Sequence, residues 1–449
     1  MKTDLVKHLV AGLSLLVLNL QLHAQGFALS STPGVGYNPY AAVAADVNGD
    51  GKMDLISANN DSTITVLTNN GSGTLVSNTF FNCPLTRTII AADLNGDGKV
   101  DLACVCAYPS GPLKIFTNDG SGGFVAAGSY ATSNTRLWLA VADINGDGKP
   151  DLICQGTDSI TATMMVLTNA GNGTFAAAPA PATTFKSWFC IAADVNGDGK
   201  PDLIDFPFNN NHYLRILTNA GDGTFTLSST NEANTVWPGS LSAVDVNGDG
   251  HVDVIVSIYN SGGGNTLFVL TNDGTGILGS NAIYTVGTGP LSVATADVNG
   301  DGMVDLITKG RHSDLTILTN NGSGFGSNTT LNAGSSTQVL GGSVVAADVN
   351  GDGRLDLITA DYNSPGTLSI WSNTLTFLPK LAVSRSSNNV YVSWPSQWTG
   401  WAGWTLQQNT DLNTANWTAF GGIIGDDGTT KTATNSSPTG NIFFRLSHP

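Results

Sequence analysis

The sequence has 449 residues, of which 41% are hydrophobic, 12% are charged and 54 are glycine. This hydrophobic fraction excludes a disordered chain, and the net charge of −16 disfavours nucleic acid as a partner. Frequent glycines between short runs of β-branched residues predict an all-β protein, because glycine suits turns and β-branched residues suit strands.

Residues 1–24 show the pattern of a secretory signal peptide. Lys2 and Lys7 precede an apolar run at residues 9–22, and Ala24 supplies a small residue at the expected cleavage position. The apolar run is too short to span a membrane comfortably, and no later run reaches spanning length. We therefore expect cleavage and export, and a mature protein that is secreted or held at the cell surface without a membrane span.

One nine-residue motif, Asp-x-Asn-Gly-Asp-Gly-x-x-Asp, recurs seven times. At intervals of 47 to 52 residues it begins at Asp46, Asp93, Asp143, Asp194, Asp245, Asp297 and Asp348. Small residues precede each copy and a short apolar run follows it. A second run then ends in Thr-Asn, or Ser-Asn in the last copy, and a Gly-x-Gly turn follows in the earlier copies. This order predicts four short strands per repeat.

Four strands repeated seven times predict a seven-bladed β-propeller over residues 25–375. An open solenoid is the alternative, but it needs capping repeats, and the sequence shows none. The seventh repeat ends at Asn373 without a fourth strand, whereas residues 26–29 (Gly-Phe-Ala-Leu) precede the first motif. We therefore expect the N-terminal strand to complete the last blade and close the ring.

The repeated motif places oxygen-bearing side chains at alternate positions, as calcium loops do. Ca²⁺ takes about six to eight oxygen ligands, and side chains at positions 1, 3, 5 and 9 with the carbonyl at position 7 can supply them. Glycine at position 6 permits the tight turn. The motif resembles the first half of an EF-hand loop, but it lacks Glu at position 12 and its flanks are predicted strands.

We predict seven structural calcium sites, which would explain why 21 of the 34 acidic residues lie in these loops. A catalytic role for the ions is disfavoured, because each loop supplies its own ligands and leaves no obvious open position for a substrate. The predicted ligands are Asp46, Asn48, Asp50, Lys52, Asp54, Asp93, Asn95, Asp97, Lys99, Asp101, Asp143, Asn145, Asp147, Lys149, Asp151, Asp194, Asn196, Asp198, Lys200, Asp202, Asp245, Asn247, Asp249, His251, Asp253, Asp297, Asn299, Asp301, Met303, Asp305, Asp348, Asn350, Asp352, Arg354 and Asp356.

The repeats resemble FG-GAP/VCBS repeats, the blades of integrin-α-type propellers, across residues 26–375, and all seven loops keep every ligand position. The resemblance implies that the loops joining strands 1 and 2 bind Ca²⁺ on one face of the ring, where the ion stiffens the hairpin. It also implies that ligands engage the opposite face.

Residues 376–449 lack the repeat and carry five of the nine tryptophans. Alternating runs at residues 390–394 and 442–446 predict a separate small, fibronectin-like β-sandwich. This segment is similar to a C-terminal module of exported proteins from Verrucomicrobia and related bacteria. The resemblance is carried by residues 392–395, 404–407, 416–417 and 443–446. Trp398 and Trp401 could stack on sugar rings, with packing in the core or loops as the alternative.

The loops at the calcium-distal end of the predicted blades differ from repeat to repeat. Their basic and aromatic residues include Arg87, Tyr108, Arg136, Trp138, Lys186, Trp188, His212, Tyr213, Trp237, Tyr259, Arg311, His312 and Tyr362. Variable loops on a rigid scaffold are typical of a binding surface, with solvated loops and packing between blades as the alternative. We expect an unidentified glycan or protein ligand here. The first residues to test are Arg136, Trp138, Trp188, Trp237 and His312.

A secreted binding, adhesion or scaffold module is the function that these features favour, and we expect a monomer. The sequence contains no nucleophile elbow, Walker A loop or HExxH motif. Its one glutamate, Glu232, means that a two-carboxylate glycosidase would have to use aspartates alone. The alternative is a polysaccharide lyase that acts at the calcium-distal face, with residues 311–314 (Arg-His-Ser-Asp) as its best acid–base cluster.

Five cysteines, an odd number, cannot all pair in an exported protein. Cys104 and Cys106 lie two apart on a predicted strand and share a face, so they are poorly placed to bond each other. We expect these two, together with Cys83, Cys154 and Cys190, to be buried apolar thiols. A structural disulfide among the five is the alternative.

Overall fold

The computed structural model describes most of the chain between residues 26 and 447, and all structural statements refer to that part. The described residues are 26–83, 86–106, 111–132, 137–156, 164–178, 187–207, 213–232, 238–259, 264–312, 314–332, 342–375, 382–386, 389–395, 405–409, 417–426, 430–436 and 443–447. The signal peptide predicted at residues 1–24 lies outside them. Within the described part, no helix is long and apolar enough to cross a membrane.

The chain divides into two compact units. One comprises Met1–Asn350 and Leu355–Leu375, and the other comprises Gly351–Arg354 and Thr376–Pro449.

The described strands of the first unit form seven antiparallel four-stranded sheets. In chain order they are β1 (Phe27–Ser31), β2 (Pro39–Ala45), β3 (Asp54–Asn59), β4 (Thr63–Asn69), β5 (Leu75–Asn82), β6 (Thr86–Ala92), β7 (Asp101–Cys106), β8 (Leu113–Asn118), β9 (Phe124–Tyr130), β10 (Leu137–Ala142), β11 (Asp151–Gly156), β12 (Met165–Asn169), β13 (Phe175–Ala178), β14 (Ser187–Ala193), β15 (Asp202–Pro207), β16 (Tyr213–Asn219), β17 (Phe225–Glu232), β18 (Pro238–Val244), β19 (Asp253–Ile258), β20 (Thr266–Asn272), β21 (Leu278–Thr285), β22 (Ser292–Ala296), β23 (Asp305–Lys309), β24 (Asp314–Asn320), β25 (Phe325–Asn332), β26 (Val344–Ala347), β27 (Asp356–Asp361) and β28 (Thr367–Asn373).

Each sheet is a blade, and blades 1 to 6 take four consecutive strands each, beginning with β2-β3-β4-β5. The second strand of a blade is buried along its length, as in β3 and β19. Because both faces of such a strand are covered, its sequence is mostly apolar after the leading aspartate and does not alternate between apolar and polar residues. The first strand carries small residues, as in β2 (Pro-Tyr-Ala-Ala-Val-Ala-Ala).

The blades form a closed ring. The first strands β2, β6, β10, β14, β18, β22 and β26 contact one another in that order, and β26 contacts β2. Blade 7 has the order β1-β28-β27-β26, so its outer strand comes from the N-terminal side of the chain. Phe27 lies opposite Asn373 in the antiparallel register of β1 and β28. The expectation that the N-terminal strand completes the last blade is therefore confirmed.

Seven hydrophobic cores lie at the seven junctions between adjacent blades. Between blades 4 and 5, for example, Ile204 and Ile216 pack with Val254 and Phe268. Each blade therefore depends for its burial on both neighbours, and a blade at an open end would expose one apolar face.

The second unit contains two small antiparallel sheets. Its described strands are β29 (Ala382–Ser386), β30 (Asn389–Pro395), β31 (Thr405–Asn409), β32 (Thr418–Ala419), β33 (Ile424–Asp426), β34 (Thr430–Ser436) and β35 (Phe443–Ser447). Their orders are β29-β30-β34-β33 and β32-β31-β35. Val392 and Ala433 of one sheet and Leu406 of the other share a buried core with Phe420 and Phe444. Two sheets on one core form a β-sandwich.

Candidate functional site

The predicted calcium loops are closed by hydrogen bonds from backbone N–H groups to their own side chains. In the first loop, the Asp46 carboxylate accepts from Gly49 N–H and Gly51 N–H, both at 2.7 Å. The Asn48 side chain accepts from Asp50 N–H at 3.0 Å. The same three bonds recur in the loops that begin at Asp93, Asp143, Asp194, Asp245 and Asp297. The loop backbone thus fixes the side chains at positions 1 and 3.

Glycine is required at two positions of each loop. Gly49 and Gly51 have φ of 75° and 80°, and the other six loops also have positive φ at positions 4 and 6. A residue with a Cβ atom pays about 1–2 kcal/mol in this left-handed region. The sequence predicts the requirement at position 6, and the structure adds position 4.

The aspartate at position 9 is fully buried and joins two backbone segments. Asp54 accepts from Val47 N–H at 3.0 Å and from Asn69 N–H at 2.7 Å. The equivalent pair of bonds is present at Asp101, Asp151, Asp202, Asp253, Asp305 and Asp356. Both oxygens therefore already serve the fold, in addition to the ligand role that the spacing predicts.

The asparagine that ends the third strand of each blade links that blade to the preceding one. Asn118 Nδ2 in blade 2 donates to the Val47 carbonyl in the predicted calcium loop of blade 1 at 2.8 Å, and to the Val100 carbonyl of its own blade at 3.0 Å. Its Oδ1 accepts from Gly120 N–H. The corresponding asparagines are Asn69, Asn169, Asn219, Asn272, Asn320 and Asn373.

These seven bonds form a closed series, because Asn69 of blade 1 donates to Val349 of blade 7. They place all seven predicted calcium loops at the same end of the ring. Along the sequence, the Thr-Asn pairs had indicated only where strands end. The signal for their role was present, since asparagine occupies this position in all seven repeats.

Position 7 of the loops connects to the neighbouring turn. Its backbone N–H donates to the aspartate at position 5, as Lys52 does to Asp50 at 3.0 Å. The Lys52 Nζ donates to the Asn70 carbonyl at 2.8 Å, and three other loops have the same lysine contact. Lys52 and Lys149 also lie 3.8 and 3.6 Å from the position 5 carboxylates of Asp50 and Asp147. An ammonium group is no ligand for a cation, so only the backbone carbonyl at this position is a candidate ligand.

The oxygen set of the loops fits a hard divalent cation. Burial raises the pKa of Asp54, Asp101, Asp151, Asp202 and Asp253 at position 9, and the carboxylates at positions 5 and 1 raise it further, whereas the two bonds from backbone N–H groups lower it. For Asp305 the pKa rises to about 7 for the same reasons. Carboxylate, amide and carbonyl oxygens are the ligands that Ca²⁺ prefers, and its charge would offset this repulsion. In the described loops the three carboxylates do not all lie within 4.8 Å of one another.

At the calcium-distal end, several predicted rim residues pack across blade junctions. The Arg87 guanidinium lies 5.2 Å from the Tyr40 ring centre, and Arg311 lies 4.8 Å from that of Tyr259. Trp138 meets Phe189 of the next blade edge-on, with ring centres 4.7 Å apart. Packing between blades was the alternative to a binding surface for these side chains. It explains in part the positions of Arg87, Arg311 and Trp138.

The structure describes only some of the other residues predicted for this rim. Trp188 lies in β14 and Tyr213 begins β16. His312 is partly exposed, and among the described residues no hydrogen bond joins it to Asp314. Several predicted residues lie outside the described part, namely Tyr108, Arg136, Lys186, His212, Trp237, Ser313, Trp398 and Trp401.

The sequence patterns did not predict the buried charged residues in three second strands, which are Asp205, Lys309 and Asp361. Asp205 in β15 forms a buried ion pair with Arg215 in β16. Burial raises the pKa of Asp205 to about 6, although the positive charge of Arg215 acts to lower it. Lys309 is fully buried at the end of β23, where burial lowers its pKa and the Asp361 charge opposes that shift. The signal was a charge inside an otherwise apolar strand.

Comparisons with known proteins agree with this architecture. The family of FG-GAP-like repeats matches residues 46–104, 93–154, 205–256 and 245–308. Two crystal structures of BBS1N in complex with ARL6DN, soaked with lead or mercury, match 78% of this chain with a TM-score of 0.54. They are 12% identical to it and are covered over 97% and 99% of their lengths, so the likeness concerns the fold. No curated protein sequence matches. The chain thus contains FG-GAP-like repeats and has the fold of a β-propeller.

Proposed function

We propose that this protein is an exported, calcium-stabilised binding module whose calcium-distal rim recognises a glycan or a protein. The observation that carries the proposal is the contrast between the two ends of the ring. One end repeats the same loop hydrogen bonds blade after blade, as at Asp46 and Asp194. A nearly uniform surface offers little to discriminate between ligands, whereas varied loops on a rigid scaffold are common recognition sites.

The rigidity of the scaffold supports this assignment. Junction cores and the asparagine bonds hold each blade against its neighbours, so the strands that carry the distal loops form a fixed frame. The structural neighbour BBS1N, a propeller crystallised with the protein ARL6DN, is consistent with a protein ligand. Calcium in the loops would stiffen the opposite end of the frame without contacting the ligand.

The test is a glycan and protein array screen on the mature chain, followed by alanine substitutions. We expect His312→Ala to weaken binding about tenfold or more, as interface anchors do, without lowering the melting temperature. Trp138→Ala should weaken binding and also lower the melting temperature, because this ring packs on Phe189. Met53→Ala, an exposed change in a calcium loop, is the matched control and should leave affinity unchanged.

Two results would contradict the assignment. Loss of binding only on substitution of Trp398 or Trp401 would move recognition to the C-terminal unit. Formation of unsaturated products from plant or bacterial polysaccharides would show lyase activity, for which Arg311 and Asp314 would then be the first residues to examine.

A further inference from the structure

Three cysteine thiols meet in the core between blades 1 and 2. The Cys83 sulfur lies 2.9 Å from that of Cys104 and 2.6 Å from that of Cys106. All three side chains are buried. Among the described residues, this is the one group of three Cys, His, Asp or Glu side chains whose potential ligand atoms all lie within 4.8 Å of one another. The remaining cysteines, Cys154 and Cys190, are buried in other cores.

The backbone holds the three thiols together. Cys83 follows β5, the outer strand of blade 1, whereas Cys104 and Cys106 lie on one face of β7 in blade 2. Cys83 N–H donates to the Ser62 carbonyl at 2.9 Å, and the Thr86 hydroxyl donates to the Cys83 carbonyl at 2.9 Å. Cys83 is thus held in place by bonds that do not involve its sulfur.

We propose that Cys83 forms a disulfide with Cys106, and that Cys104 remains a thiol able to exchange into the bond. Non-bonded heavy atoms are optimally about 3.5–4.0 Å apart, and these sulfurs are closer. The bond would join the end of blade 1 to the second strand of blade 2, between residues 23 positions apart. It would fix the crossover at the calcium-distal end of the ring.

A metal ion fits the three sulfurs less well than a covalent bond. Thiolates bound tetrahedrally to Zn²⁺ at about 2.3 Å lie about 3.8 Å from one another, which is wider than both separations found here. Three thiolates and one divalent ion would also leave net charge among apolar side chains such as Ile64, Ile89 and Phe116. A disulfide and one thiol are neutral, so their burial costs less.

The reaction needs a disulfide oxidant, such as glutathione disulfide or an oxidoreductase of the export compartment. The Cys83 thiolate attacks one oxidant sulfur and releases the other as a thiolate. The Cys106 thiolate then attacks the Cys83 sulfur and releases the second oxidant thiol. Two protein thiols and one oxidant disulfide thus become one protein disulfide and two oxidant thiols.

Cys83 is suited to be the attacking group. Hydrogen bonds from Cys104 and then Cys106 lower the pKa of its thiol to about 4. Exchange with Cys104 is redox-neutral, because the Cys104 thiolate would attack the Cys83 sulfur and release Cys106 as a thiolate. Oxidation would occur once folding has brought the two blades and their three thiols together, and before the finished core covers the sulfurs.

The test counts free thiols after the reduced full chain is refolded in glutathione buffer and alkylated in denaturant without reductant. Of the five cysteines, we expect three to be alkylated, and we expect tryptic peptides 53–87 and 100–114 to be joined. The proposal depends on the proposed export in one respect only, which is that export would bring the chain into an oxidising compartment. Refolding in vitro tests it independently of export and of ligand binding.

Matched alanine variants locate the bond. Cys83→Ala should leave all four remaining thiols free, whereas Cys104→Ala and the control Cys154→Ala should each leave two of four free. Reductant should lower the melting temperature of the refolded wild type by roughly 5 °C and leave that of Cys83→Ala unchanged. Five free thiols in the wild type would overturn the proposal. So would one equivalent of zinc released on alkylation, which would identify a metal site.

Discussion

At the scale of the residue, the most informative side chains are the asparagines that end the third strands. Each is buried, and its amide donates to two carbonyls in different blades, as Asn169 does. The side-chain oxygen accepts a glycine N–H in six of them, and the Leu375 N–H in Asn373. If the asparagine were exposed, such hydrogen bonds would contribute little to the stability of the folded protein, because water would bond the same groups. Here the partners are buried, so loss of the amide leaves carbonyls without donors.

Asn169→Ala tests this role. The change removes the donor to the Leu94 carbonyl of blade 2 and the Pro150 carbonyl of its own blade. We expect a loss of about 2–6 kcal/mol in the free energy of unfolding, because two carbonyls lose their donor at about 1–3 kcal/mol per unsatisfied group. Urea unfolding followed by tryptophan fluorescence measures it. The control is Asn172→Ala in the same hairpin, where the exposed side chain contacts only Thr174. Equal losses in the two variants would refute the linking role.

At the scale of the element, β1 differs from every other strand because it closes the ring. Phe27 is buried with Trp371 and Leu357 at the junction of blades 6 and 7. The Gly26 carbonyl accepts from Thr374 N–H, which extends the pairing beyond the strand. Without β1, the strand β28 would become an unprotected edge of blade 7.

Deletion of residues 25–36 should therefore destabilise the ring and promote association. We expect a lower melting temperature and oligomers or aggregates in light scattering, because the exposed edge can pair with another chain. A chain lacking only residues 1–24 is the control and should remain monomeric. An unchanged melting curve and a monomeric profile after the longer deletion would show that blade 7 does not depend on β1.

At the scale of the whole molecule, the seven proposed calcium sites act on one cooperative ring. Extracellular sites of this kind have Kd of about 10⁻⁴–10⁻³ M. At about 1 mM Ca²⁺ and a Kd of about 0.1 mM, mass action gives roughly 1.4 kcal/mol per site. Seven independent sites would contribute about 10 kcal/mol, which is comparable to the whole stability of a domain.

Chelation should consequently lower the melting temperature strongly, and Ca²⁺ should restore it. Asp198→Asn provides a matched variant, since the amide oxygen can still accept from Lys200 N–H while one ligand charge is lost. We expect this variant to lose roughly 1.4 kcal/mol in Ca²⁺ and to match the wild type in EDTA. A wild-type melting curve that does not change in excess EDTA would rule out calcium stabilisation.

The sequence by itself determined the number of blades, the four strands in each and the closure by the N-terminal strand. These features follow from local chemistry repeated at fixed spacing, because glycine turns, apolar runs and the missing strand of the seventh repeat are all visible along the chain. The same is true of the oxygen-rich loops, because their oxygen-bearing side chains all lie within nine residues of one another.

Only the tertiary structure decided which distant side chains meet. Asn118 reaches Val47, 71 positions away, and Trp138 meets Phe189 because neighbouring blades are packed face to face. Cys83 approaches Cys104 and Cys106 for the same reason. Such contacts depend on the angle and register between blades. Many residues set that geometry together, so no spacing along a single repeat encodes it.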